Sequence, residues 1–187
     1  MEINFNKEFE KINLLKLVND LRYFANEDEK HHEQSFQEQI VKLFKTNYLT
    51  LYNLTQDIKS ILLKQPFFVV LKGVNFNSLD EKIRDVFILG FTSSIGYSTP
   101  TDQMNKKVLW PVKAETNPIV KNLTFSQRLG EAQYHTDAQY SKNPEELLSL
   151  WCLKSDKNGE GISGLISADY LISEIKNRFV VKVSLKH

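Results

Sequence analysis

The chain has one cysteine, Cys152, so an intramolecular disulfide is excluded and a reducing compartment is expected. Charge of one sign is also missing. Lys and Arg total 24 against 23 Asp and Glu, a net charge of +1, which removes any electrostatic reason to expect nucleic acid or an anionic membrane as partner. Long apolar runs are absent, and the stretch around Phe67 to Leu71 is far too short to span a bilayer. The first residues, Met1 to Lys7, lack the basic and then apolar order of a signal peptide. There is no internal repeat and no low-complexity tract. The composition is that of a soluble protein, 41% hydrophobic and 25% charged, and the expected location is the cytoplasm. With 187 residues the chain is long enough for one domain with a sizeable core.

Periodicity divides the chain into a helical first third and a mixed remainder. Phe9, Ile12, Leu15, Leu17, Val18, Leu21 and Phe24 recur at roughly helical spacing. A polar stretch from Asn26 to Gln34 interrupts them. A second helix is expected through Phe36, Ile40, Val41, Leu43 and Phe44, and a third through Leu51, Leu54, Ile58, Ile61 and Leu62. After Pro66, Phe67–Leu71 reads as a buried strand. Ser78 to Leu89 reads as a helix capped by Ser78, with Glu81 three residues on. The Ser-, Thr-, Gly- and Pro-rich segment Thr92–Asn105 reads as loop. Short strands are expected at Val108–Val112, Glu131–Gln139, Leu147–Leu153 and Ile162–Ser167, then a helix at Ala168–Arg178 and a last strand at Phe179–Leu185. The expected class is α+β, a single domain over 1–187. Residues 1–65 would supply helical cladding and 66–187 a β-sandwich or jelly roll.

Chemistry concentrates in the run Gly130-Glu131-Ala132-Gln133-Tyr134-His135-Thr136-Asp137-Ala138-Gln139-Tyr140. On a strand, His135 and Asp137 project from one face. One imidazole and one carboxylate at a single point are two of the three ligands in the facial triad of non-haem Fe(II) oxygenases. Beside it stands the plainer reading, in which His135 simply hydrogen-bonds Asp137. The surrounding pattern favours the ligand reading: a Gly-Glu lead-in, a Pro-led apolar segment from Pro144 to Leu153, and the Gly-rich Gly159-Glu160-Gly161-Ile162-Ser163-Gly164.

In that order of motifs the chain resembles the iron(II)/2-oxoglutarate-dependent oxygenases, and within them the taurine dioxygenase and clavaminate synthase-like branch. The likeness is dense from about Gly130 to Ile175 and thinner from Pro66 to Leu129. The resemblance implies a double-stranded β-helix (jelly roll), with Fe(II) as cofactor and 2-oxoglutarate as co-substrate. It implies oxidation of 2-oxoglutarate to succinate coupled to hydroxylation or desaturation of a small molecule, such as an amino acid or a derivative. Carried over, His135 and Asp137 are iron ligands. Ser163, standing where the family usually has Thr, keeps the hydroxyl that helps hold 2-oxoglutarate.

Two family positions have no counterpart. The only histidine after the motif is His187, the last residue, and the only arginine is Arg178, which precedes it in an expected helix. A terminal residue frays, so the favoured reading is that His187 does not ligate, although its spacing from the motif suits some other 2-oxoglutarate oxygenases and keeps it open as a third iron ligand. The fold is accordingly expected to be incomplete at its C-terminus. A second reading follows: a catalytically inactive remnant or binding module whose unpaired strand edges self-associate or accept a completing chain. A zinc hydrolase is disfavoured by the lack of a dense His/Cys cluster. His31 and His32 read as solvated surface, and Cys152 beside Trp151 as a small buried hydrophobe. Tyr134, Gln139 and Tyr140 flank the motif and read equally as substrate contacts or as core or rim packing, and Arg128, next to Gln127, reads as a surface ion pair ahead of a partner for an anionic substrate.

Overall fold

A computed structural model describes residues 2–64, 67–73, 76, 79–100, 104–113, 132–136, 142–155, 157–158 and 162–178. The elements are β1 (Glu2–Asn4), α1 (Asn6–Phe9), α2 (Leu14–Arg22), α3 (Gln34–Asn47), α4 (Leu49–Leu62), β2 (Val70–Lys72), α5 (Glu81–Ser93) and α6 (Ala168–Arg178), with a 3₁₀ turn at Asp28–Lys30. The chain divides into two compact units, Met1–Leu153 and Lys154–His187.

The first unit is built around α5. Its run Val86-Phe87-Ile88-Leu89-Gly90-Phe91 is buried at every position, so this helix has no solvent face along its second half. Such a helix must be wrapped on all sides, and α2, α3 and α4 pack against it. Each of these shows a single apolar stripe: Leu17 and Leu21 on α2, Phe36, Ile40 and Phe44 on α3, and Leu51, Leu54 and Ile58 on α4. Complete burial of a Leu, Ile or Phe side chain contributes about 1.5–3 kcal/mol, and these stripes together with α5 supply most of the core. Local signals set the ends. Asn13 Oδ1 accepts the Lys16 N–H at 3.0 Å to start α2, and Asp80 Oδ1 accepts the Lys82 N–H at 3.0 Å to start α5. Tyr48, at φ −133° and ψ 52°, breaks the helical path so that α3 and α4 meet at one residue.

At the edge of the helices, β1 and β2 pair in parallel, with Ile3 opposite Leu71. The Phe5 N–H continues the ladder to the Lys72 carbonyl at 2.8 Å. Phe5 then turns its fully buried ring into an aromatic cluster with Phe9, Phe87 and Phe91, at centroid separations of 5.3, 6.4 and 5.7 Å. Edge-on and tilted rings at these distances add to the burial term.

Two polar devices tie the helices. Tyr48 donates to Asp20 Oδ2 on α2 at 2.7 Å. Gln37, buried on α3, satisfies both ends of its amide. Nε2 donates to the carbonyls of His31 (2.7 Å) and Ser98 (2.8 Å), while Oε1 accepts from Ser93 Oγ (2.8 Å) and the Ser98 N–H (3.0 Å). This side chain therefore clasps the segment before α3 to the segment after α5.

The expected helices at 9–24, 36–44 and 51–62 correspond to α2, α3 and α4, and α6 has the expected bounds. Elsewhere the structure differs. The strand expected at Phe67–Leu71 is Val70–Lys72 and lies at a surface, with Val70 and Lys72 exposed and Leu71 half-buried, because among the described residues its sheet has two strands and meets the core through one face, by Ile3 and Leu71. The cap of α5 is Asp80 rather than Ser78, which lies outside the described residues along with the last expected strand. The described parts of 108–112, 131–139, 147–153 and 162–167 contain no strand. His31 is buried at 8% exposure rather than solvated, its ring stacked on Phe36 at 5.8 Å.

In the second unit, Ile162–Ser167 is non-regular and leads into α6. The Tyr170 N–H reaches Ser167 Oγ at 3.5 Å, and no residue of α6 is buried. Among the described residues no helix is long and apolar enough to cross a membrane.

Candidate metal-binding segment

His135 lies in the described stretch 132–136, which is irregular and solvent-exposed. Its ring is nonetheless oriented. Nδ1 is 2.7 Å from the carbonyl oxygen of Gln133. A carbonyl only accepts, so Nδ1 must carry the proton, and in the neutral ring the lone pair then resides on Nε2. Metal-binding histidines are commonly held this way, with one ring N–H donated to a backbone carbonyl and the other nitrogen left with its lone pair. The Gln133 carbonyl, two residues away in sequence, thus selects the tautomer of the neutral ring.

Asp137 lies outside the described residues, as do Gln127, Arg128, Gln139, Tyr140 and His187. Ser163 is exposed in the second unit, in the non-regular approach to α6. Arg178, the one arginine after the motif, pairs within α6 to Glu174 Oε2 through Nη2 at 3.0 Å and Nε at 3.1 Å. Tyr134 is exposed. Among the described residues no group of three or more His, Cys, Asp or Glu is placed to hold a metal ion. His135 is therefore the one expected metal ligand that lies among the described residues.

Downstream, the Pro-led segment is moored by Trp151. Its indole ring lies 5.7 Å from Phe76 and 5.5 Å from Phe91, edge-on to the latter at 89°. This anchor joins the segment after the motif to α5, the centre of the helical core. Cys152, next to it, is exposed and unbridged, contrary to the buried position expected for it. Sequence reasoning grouped Trp151 with Cys152 as one apolar pair. Only the ring contacts separate the residue that packs from the one that does not.

No protein-family model, curated protein or solved structure matches this chain.

Proposed function

We propose that the chain carries the metal-binding segment of an Fe(II)- and 2-oxoglutarate-dependent oxygenase that hydroxylates or desaturates a small molecule, an amino acid or a derivative. The observation that carries this reading is His135-Thr136-Asp137 with its Nδ1–H held by the Gln133 carbonyl. His135 Nε2 and the Asp137 carboxylate would hold the metal, and the Ser163 hydroxyl would hydrogen-bond the co-substrate. The fold proposed with it is a jelly roll formed by residues 66–187 and clad by the helices of residues 1–65. Bound Fe(II) supplies dioxygen activation coupled to oxidative decarboxylation of 2-oxoglutarate. The chain's own part is to fix the imidazole tautomer before metal arrives, so that binding does not first require a ring flip or proton transfer.

Anaerobic titration of the purified chain with Fe(II) and 2-oxoglutarate tests the proposal. The expected result is a saturable visible charge-transfer band that disappears in His135→Ala and in Asp137→Ala. A folded chain that develops no band, or variants that keep it, would overturn the assignment.

A further inference from the structure

His31 is the one buried side chain whose polar atom is left unsatisfied among the described residues: Nε2 has no hydrogen-bond partner. Unpaired buried polar atoms are rare in folded proteins, and each costs stability because it forfeits the hydrogen bonds it would make to water. An apolar residue would fill the space against Phe36 without that cost. The placement is specific. The His31 carbonyl is one of the two that Gln37 clasps, and the neighbouring His32 carbonyl accepts from Tyr97 Oη at 2.6 Å. The imidazole therefore sits under the tie between the 31–33 segment and the 97–98 segment.

We propose that His31 is an acid-sensitive latch: proton uptake expels the ring from its site on Phe36 and releases the 31–33 segment from Gln37 and Tyr97. A neutral ring is tolerated there, whereas the charged ring would bring a second N–H with no acceptor at Nε2. The charged groups facing it are Asp28 and Glu29 from the preceding turn and Asp85 from α5, while α3 contributes the uncharged Phe36 and Gln37. Burial holds the imidazole below its ordinary value against the pull of Asp28, Asp85 and Glu29. Asp85 is itself engaged by Arg84, at 2.7 Å to Nη2 and 2.9 Å to Nε, which blunts its attraction for the imidazolium.

The sign follows from linkage. Above the ordinary histidine value of about 6.5 both the latched and released states are neutral and pH has no effect through this group. Below it the released state takes up the proton first, so the latch weakens as pH falls until the native ring also titrates. Asp85, whose carboxyl burial pushes upward despite Arg84, acts in the opposite sense, because the native state takes up its proton more readily.

The experiment is a proton NMR titration of the imidazole resonances of the whole chain, combined with amide-exchange protection at residues 31–33 and 97–98. His31 is identified by the signal missing in His31→Gln. The expected result is an inflection below 6.5, with protection at those amides falling by up to about tenfold per pH unit between 6.5 and that inflection. His31→Phe should lose this pH dependence. An inflection at or above 6.5, or a titration that leaves those amides equally protected, would overturn the latch. The wild-type titration decides even where a variant folds poorly.

Discussion

Gly90 of α5 lies directly against Ile40 of α3, so close that a methyl group on Gly90 would overlap Ile40 Cγ2 and sit 3.1 Å from Phe44 Cζ. The absence of a side chain at this position lets the two central helices approach.

Gly90→Ala should therefore destabilise the protein even though alanine is the better helix former by about 1 kcal/mol. Overpacking costs about 1–3 kcal/mol, so a net loss of up to about 2 kcal/mol is expected in urea unfolding. Combining it with Ile40→Ala should cost less than the sum of the two single changes, since the second opens the space the first needs. Additive losses would show that the helices are not in close contact here.

Trp151 should report the docking of the post-motif segment on α5. In a Trp110→Phe background, leaving Trp151 as the remaining indole of the two in the chain, Phe91→Ala removes its edge-on partner. Tryptophan emission should shift to the red, with stability falling by about 3–5 kcal/mol for loss of a buried Phe. Unchanged emission in a folded variant would mean that Trp151 is held by something other than the Phe76–Phe91 pair.

Tyr48 gives a pH prediction at the alkaline end. Burial, then the hydrogen bond to Asp20, pushes its phenol above the ordinary value of about 10. A raised native value means that stability is intact below about pH 10 and is lost as pH rises, because the unfolded chain releases the proton first. Absorbance titration at the phenolate band should show one late-ionising tyrosine that is absent in Tyr48→Phe. That variant should also lose less stability between pH 9 and 11 than the wild type, at a cost of about 1–2 kcal/mol at neutral pH.

The helices were legible because their stripes are local: Phe36, Ile40 and Phe44 announce α3 whatever surrounds them. β1 was not, since three residues with the burial pattern of an exposed edge carry no period, and their partner is at residues 70–72. Burial of His31 was equally hidden. A histidine among Asp28, Glu29, Lys30 and His32 reads as surface, and only the stacking on Phe36 and the Gln37 clasp turn it inward. For the candidate site, the His135 motif was evident in the residues, but the Gln133 carbonyl that selects its tautomer was not, because a backbone acceptor leaves no trace in side-chain identity. Trp151 and Cys152 show the same limit, as adjacent residues of similar hydrophobic character end differently, Trp151 half-buried against the core and Cys152 exposed.

The pairing of Glu2–Asn4 with Val70–Lys72 has a consequence for the order of assembly. A parallel strand pair this distant in sequence cannot close until the intervening helices have brought its halves together, and loop closure of that length is slow relative to helix formation. On the ribosome, β1 emerges before β2 and must wait for it. The α3–α4 corner can form before then, with Phe5 locking into its aromatic cluster only as the parallel ladder closes. A segment made before the core helices is thus among the last to find its place.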